Sequence, residues 1–398
     1  SINDLYLARG KGDFGGFTVP AINLRTLTYD LARAIFRAAK KLNAGTFIFE
    51  IAKSEMGYTD QIPAEYTSMC LAAAVEEGYQ GPVFIQGDHF QLKAKNYTTD
   101  PDKEMESMKA LMTEAIGSGF YNIDIDSSTL VDLSKTTTKE QQLHNYKVCA
   151  ELTKFIREIE PEGLNVSVGG EIGEVGGKNS TPEELKVFME GYSELLGKGI
   201  PGISKMSIQT GTSHGGVVMA DGTVAEVKLD FKTLENLSKL SREKFGMAGA
   251  VQHGASTLPS DAFGKFPEVE TAEVHLATQF QNIIYDSKHF PDDLRKKIYA
   301  WINENLTAEK KEGQTEEQFI YKTRKKALGP FKKDIINLPA EVKAKIVALV
   351  EKEFQFLFEK LNIKDTAALV SKYLKPKAVR ARVTAEAVSV EMDGEGDD

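Results

Sequence analysis

Eight short runs rich in β-branched and aromatic residues alternate with amphipathic stretches through about the first 280 of 398 residues. The repeat length is about 25 to 45 residues, and ionisable residues gather at the ends of the runs. Together these observations predict an α/β protein: a closed (β/α)8 TIM barrel with a helical C-terminal extension. An open doubly wound sheet rarely needs eight such units in so regular an order.

The predicted strands, in order, are Phe17–Leu24, Thr46–Ala52, Pro82–His89, Tyr121–Ser127, Asn165–Gly173, Ile203–Gly211, Ala248–Ser256 and Glu273–Thr278. Between them lie helical patterns such as "LTYDLARAIFRAAKKLN", "AEYTSMCLAAAVEEG", "EMESMKALMTEAIGSG" and "PEELKVFMEGYSELLGKG". Each ends near Gly or Asn, as helix C-termini do. Residues 1–290 are expected to form the barrel. From Pro291 the strand runs stop, and three long charged helical patterns follow, predicting a helical extension over 291–378. The acidic end, 379–398, reads as a disordered tail.

An apolar content of 41% and a charged content of 27% are those of a globular protein. A formal charge of −9 argues against nucleic acid as a partner, because a phosphate backbone needs a positive face. No apolar stretch approaches the roughly 20 residues that span a bilayer. The first residues lack the basic-then-apolar order of a secretory signal. The two cysteines, Cys70 and Cys149, stand in no metal or redox pair. The expectation is a cytoplasmic protein with reduced thiols. Its small partner can still be a phosphorylated molecule, held by backbone amides, a metal ion and a few local cations.

Barrel active sites form at the C-terminal ends of the strands, so the run ends are read together. They carry Asp88 and His89, Asp124 and Asp126, Glu171 and Glu174, His214, His253, and His275. Four of only six histidines fall there. Imidazoles converging from separate strands beside carboxylates make a catalytic metal arrangement of the zinc type. Co2+, Fe2+ and Mn2+ suit the same donors less well. The turns "GTSHGG" and "HGAS" add backbone amides that can approach an anion closely, next to two of these histidines.

Motif by motif over roughly residues 15 to 285, the chain resembles the class II fructose-bisphosphate and tagatose-bisphosphate aldolases. The matching stretches are "VPAIN", "GDH", "IDSS", "GGEIGEVGG", "TSHGG" followed by "VKLDFKTLENL", "HGAS" and "AT". The resemblance implies that His89, His214 and His253 bind the metal, with Asp126 and Glu171 beside it. It implies Asp88 as the acid–base at the C4 oxygen. Asn23, Gly215, Gly254, Ser256 and Thr278 would contact the substrate or its phosphate. The family also implies a homodimer or homotetramer.

The chain departs from that pattern in three places. The segment after strand five is "GGKNSTPEE", so Glu174 is the nearest substitute for the family's second base. Strand eight has His275 where the family usually has Asn, and Ala277 where it has an acidic residue, so His275 reads equally as a substrate contact and as a polar core residue. The stretch "FIFEIAKSEMGYT" is closer to the non-catalytic partner subunit of tagatose-bisphosphate aldolases. The basic block "KTRKKALGPFKK" reads either as a solvated helix face or as the source of Arg324, whose planar fork suits the second phosphate, in this chain or in the other subunit of a dimer. The expected reaction is aldol cleavage of a ketose 1,6-bisphosphate, fructose 1,6-bisphosphate first. Its rivals are the tagatose epimer, a metal-dependent epimerase, a partner subunit, and a Schiff-base aldolase using Lys205.

Overall fold

The computed structural model describes residues 1–173, 178–211, 219, 229–377 and 379. Eight parallel strands close into a barrel in chain order: β1 (Val19–Asn23), β2 (Ile48–Ala52), β3 (Phe84–Gln91), β4 (Asn122–Asp126), β5 (Ser167–Glu171), β6 (Lys205–Ile208), β7 (Ala250–Gln252) and β8 (Glu273–Leu276). β8 pairs with β1, so no sheet edge is left open. All eight predicted strands are present, most of them shorter than their apolar runs. Flanking apolar residues such as Phe17, Leu24 and Phe47 lie outside the strand bounds and are buried in the core.

Local chemistry sets the helices between them. Pro182–Leu196 begins with proline in its first turn, and Thr181 and Glu184 form a reciprocal capping box. Phe231–Phe245 is capped by Asp230, whose carboxylate accepts from the amides of Lys232 and Thr233. A helix that the sequence patterns do not suggest, Asn3–Gly10, lies at the N-terminal ends of the strands. It is held there by Tyr6 donating to Glu273, by the Ile2 amide donating to Asn122 Oδ1 at 2.9 Å, and by Arg9 pairing with Glu270 at 2.9 Å.

The helices from Asp292 onward pack along the outside of the barrel from top to bottom. Near the strand C-termini, the Gly329 amide donates to the Tyr58 carbonyl at 2.9 Å. Near the N-termini, Thr366 Oγ1 accepts from the Gly45 amide at 3.0 Å. Between these points the helix Ala340–Lys360 lies against Thr28–Leu42. Phe354 meets Phe280 with ring centroids 4.9 Å apart, and Phe358 meets Phe47 at 5.5 Å. The extension therefore shares one continuous apolar core with the barrel.

Inside the barrel the layers are not purely aliphatic. Glu50, Gln86, Asp124, Lys205, Glu273 and His275 all point inward and are buried. Lys205 Nζ donates to Gln86 Oε1 at 2.7 Å, Asp124 Oδ2 at 2.9 Å and Glu273 Oε1 at 2.5 Å. Gly169 makes room for this network, since a Cβ there would collide with the Asp124 carboxylate.

Candidate active site

Asp88 and His89 are adjacent in β3, so strict alternation would send their side chains to opposite faces. The register between β3 and β4 shifts between Gly87 and Phe90, and His89 has φ of 38°, in the left-handed region. A bulge of this kind re-aims a side chain, and here both residues reach the barrel mouth. Strain of this type in a β-substituted residue is held only where the surroundings over-determine it. Gly87 helps, because a Cβ there would run into the Phe90 ring.

Three side chains then converge. His89 Nε2 and His253 Nδ1 each lie 3.9 Å from Asp88 Oδ1. The His89 and His253 rings are 4.1 Å apart by centroid, and His253 and His275 are 4.0 Å apart. On their far sides, His89 Nδ1 meets Asp126 Oδ2 at 3.1 Å and His253 Nε2 meets Ser207 Oγ at 2.9 Å. A partner on the second nitrogen fixes tautomer and ring orientation, as outer-shell groups do at metal sites. Ligand atoms of Asp88, His89 and His253 all lie within 4.8 Å of one another, and all three residues are buried. That donor set fits a divalent cation of the zinc class.

The electrostatics follow from crowding carboxylates around two imidazoles. Burial alone would lower the His89 pKa, but Asp88, the Asp126 hydrogen bond and Glu171 outweigh it and raise it well above the ordinary value. A metal ion has to displace that proton. Burial pushes the Glu171 carboxyl well up, reinforced by Asp126. Asp126 is buried too, yet its hydrogen bond to His89 and the His89 charge bring it below the usual carboxylate range.

Asp126 and Glu171 do come together with His89, but on the Nδ1 side of the ring, 3.1 and 3.5 Å away. They form a cluster separate from Asp88 and His253. Asn23, Gly254, Ser256, His275 and Thr278 line the same cavity of ≈ 30 Å³ as Asp88, His89 and His253. Glu174, His214 and Gly215 lie outside the described residues.

Three of the residues weighed in the sequence have close partners within the fold. His275 has carboxyl groups at both ring nitrogens, Asp88 and Glu50 at Nδ1 and Glu273 at Nε2. Arg324 does not line this cavity in its own chain. Asp286 holds its guanidinium at 2.7 Å and Asn282 at 2.6 Å, between the rings of Tyr285 and Tyr321. A buried guanidinium finds its charge partner within its own helical layer, and this one lines a different cavity. Lys205 is fully buried, and although burial opposes its charge, Asp124 and Glu273 keep its amine protonated. A Schiff-base nucleophile needs the neutral amine.

One cation at the site has no motif to announce it. Arg25, two residues after β1, lines the cavity and pairs with Glu55 at 2.7 Å. Its Nη1 lies 3.5 Å from both Thr278 Oγ1 and Gln281 Oε1. In the sequence it sits in the unremarkable stretch "NLRTL", and only the closing of β1 against β8 brings it to Thr278.

A family model described as fructose-bisphosphate aldolase class-II matches residues 11–356. The chain belongs to that family. Enzymes of the family are metal-dependent, in keeping with the donor cluster at the mouth. The fold is similar to a putative fructose-1,6-bisphosphate aldolase from Coccidioides immitis, at TM-score 0.53 and 17% identity over 92% of this chain and 97% of that one. It is also similar to a probable tagatose 6 phosphate kinase from Sinorhizobium meliloti, at TM-score 0.59 and 16% identity over 89% and 99%. A third similar structure is the fructuronate-tagaturonate epimerase UxaE from Cohnella laeviribosi, at TM-score 0.57 and 13% identity over 90% and 82%. At such identities these likenesses speak to the fold alone. A comparison with curated proteins finds no match.

Proposed function

We propose that this chain catalyses reversible, metal-dependent aldol cleavage of a ketose 1,6-bisphosphate, fructose 1,6-bisphosphate in the first instance. The products are dihydroxyacetone phosphate and glyceraldehyde 3-phosphate. The observation that carries the proposal is the meeting of Asp88, His89 and His253 at the mouth of a closed barrel, in a chain of this family. His89 Nε2 and His253 Nδ1 would hold the cation, with His214 as the third ligand. A divalent cation there supplies Lewis acidity that draws electron density from the carbonyl oxygen of the ketose.

The chain's own residues supply the remaining steps. Asp88 takes the proton of the C4 hydroxyl as the C3–C4 bond breaks, and returns it in the condensation direction. Asp126 keeps His89 oriented, and Ser207 does the same for His253. Arg25, Ser256, Thr278 and the Gly254 backbone surround the cavity with donors for phosphate oxygens. The burial of all three central residues keeps water from competing for the reacting oxygens.

The test is coupled-assay cleavage of fructose 1,6-bisphosphate before and after EDTA, then after adding zinc. Activity lost to EDTA and regained with zinc is expected. Absence of cleavage by the zinc-loaded protein, on this substrate and on its tagatose epimer, would overturn the proposal.

A further inference from the structure

We propose that Lys53 holds the phosphate at the far end of the substrate, so that one chain supplies a cation for each end of a doubly phosphorylated sugar. The inference rests on the aldolase reading above and adds a residue and a subsite to it.

On that reading two points of the substrate are placed. One phosphate belongs with Arg25, Gly254, Ser256 and Thr278, which follow β1, β7 and β8 and line the cavity. The C4 hydroxyl belongs with Asp88 in β3. The second phosphate sits two carbons beyond C4 and away from C1, so it falls past Asp88 from the arc of the first. That part of the mouth is the rim of β2, β3 and β4.

Lys53 stands on this rim. Ala52, the last residue of β2, is the register partner of Asp88 and lines the same cavity. Lys53 is the next residue, and its side chain crosses to the end of β3, where Nζ lies 3.4 Å from the Gln91 carbonyl oxygen. Gln91 is paired in turn with Asp126 of β4, to whose carboxylate its side-chain amide donates at 2.8 Å. The ammonium group therefore lies over the two strand ends that carry Asp88, His89 and Asp126.

Its surroundings suit an incoming anion. The side chain is only 17% exposed, and its hydrogen bond to the Gln91 carbonyl is long. The carboxylate facing it, Glu104, is 3.9 Å away. Both Glu104 oxygens accept from other donors, the Lys93 amide at 2.9 Å and Asn96 Nδ2 at 3.1 Å. Burial draws the Lys53 pKa down against the pull of Glu104, and the charge of Lys93 adds to the fall. A largely buried amine with a distant carboxylate and a second lysine nearby is stabilised by an anion that brings its own charge. A phosphate group fits, because an ammonium binds it as a compact charge with three donors. Arg324 does not compete for this role within the chain, since Asp286 holds it in a separate cavity.

The test uses the full-length, zinc-loaded protein and calorimetric titration with two hexitols that cannot undergo aldol cleavage. One carries phosphate at C1 and C6, the other at C1 alone. Wild type should bind the bisphosphate at least about tenfold more tightly. Lys53→Met keeps the apolar stem and removes the charge. It should weaken the bisphosphate about 10- to 100-fold and the monophosphate by less than about twofold. Should Lys53→Met fail to fold, Lys53→Gln carries the same comparison. A ratio of the two affinities that matches wild type in a folded variant overturns the role of Lys53, as does a wild type that does not distinguish the two hexitols. Cleavage of fructose 1,6-bisphosphate and its tagatose epimer by the same wild-type sample is read alongside. Cleavage with an unmoved ratio leaves the aldolase reading standing without Lys53. A moved ratio without cleavage overturns the aldolase reading and keeps the phosphate subsite, and a wild type that neither cleaves nor binds overturns both.

Discussion

At Asp88 and His89 one residue of irregular backbone decides what the site contains. The sequence lets both be placed at a strand end. It does not tell that they share a face, because alternation is the default and the bulge depends on how β4 pairs with β3. Arg25 and Arg324 show the same limit from the other side. Arg324 attracts notice because it lies in a basic block of an acidic chain, yet Asp286, distant in sequence, takes its charge. Arg25 has no such setting and still reaches the cavity. Arg25→Met should therefore raise KM for the bisphosphate at least about tenfold while zinc remains bound; an unchanged KM would remove Arg25 from substrate binding. Lys205→Ala leaves the Asp124 and Glu273 carboxylates buried without their cation. It should cost about 3–5 kcal/mol of stability, and urea unfolding that matches wild type would contradict this.

Among the elements, the strands are the most legible because each is an apolar run between turn residues, and their order follows from the regular repeat. Their ends are less so, since Ala248 and Ala255 are as apolar and buried as the residues of β7 itself. The helix Asn3–Gly10 escapes sequence reading for a physical reason. It is short, and its buried positions include Asn3 and Arg9 as well as Leu5, so no apolar stripe marks it. The helical character of the C-terminal extension can be read from its periodicity, but not the surface it covers. Phe354 is fully buried against Phe280 in that interface. Phe354→Ala should lose about 3–5 kcal/mol, measured as a fall in the urea midpoint. A loss below about 1 kcal/mol would mean that the extension is not part of the cooperative unit.

On the scale of the whole molecule, the buried charges give the metal-free protein a definite dependence on pH. Glu50 is raised to about 8 and Asp124 to about 6, the latter by burial against the pull of Lys205. His275 is raised well above its ordinary value, its burial outweighed by Glu50 and Asp88. Each of these groups binds protons more tightly folded than unfolded. Their contribution is complete below the unfolded pKa and lost as pH rises through the folded one. Glu273 and Asp126 shift downward, so their contributions fade only in acid, below about pH 4.5. Between pH 5 and 8 these groups give a negative slope, by up to about 1.4 kcal/mol per pH unit for each one titrating, which outweighs the opposite contribution of the single Ser1 amino group, lowered by burial to about 6. In EDTA, the urea midpoint should fall from pH 6 to pH 8, and a rise across that interval would contradict the assignment of these protons.

The bulge in β3 also fixes which kinds of inherited change this barrel tolerates. Substitutions around the mouth alter one contact at a time and leave the rest in register. Losing or gaining one residue between Phe84 and Gln91 would restore simple alternation and turn either the imidazole or its neighbouring carboxylate out toward the helices. Descendants of this chain can thus diverge widely in side chains and loop lengths, while the residue count of this one strand stays fixed for as long as the chemistry does.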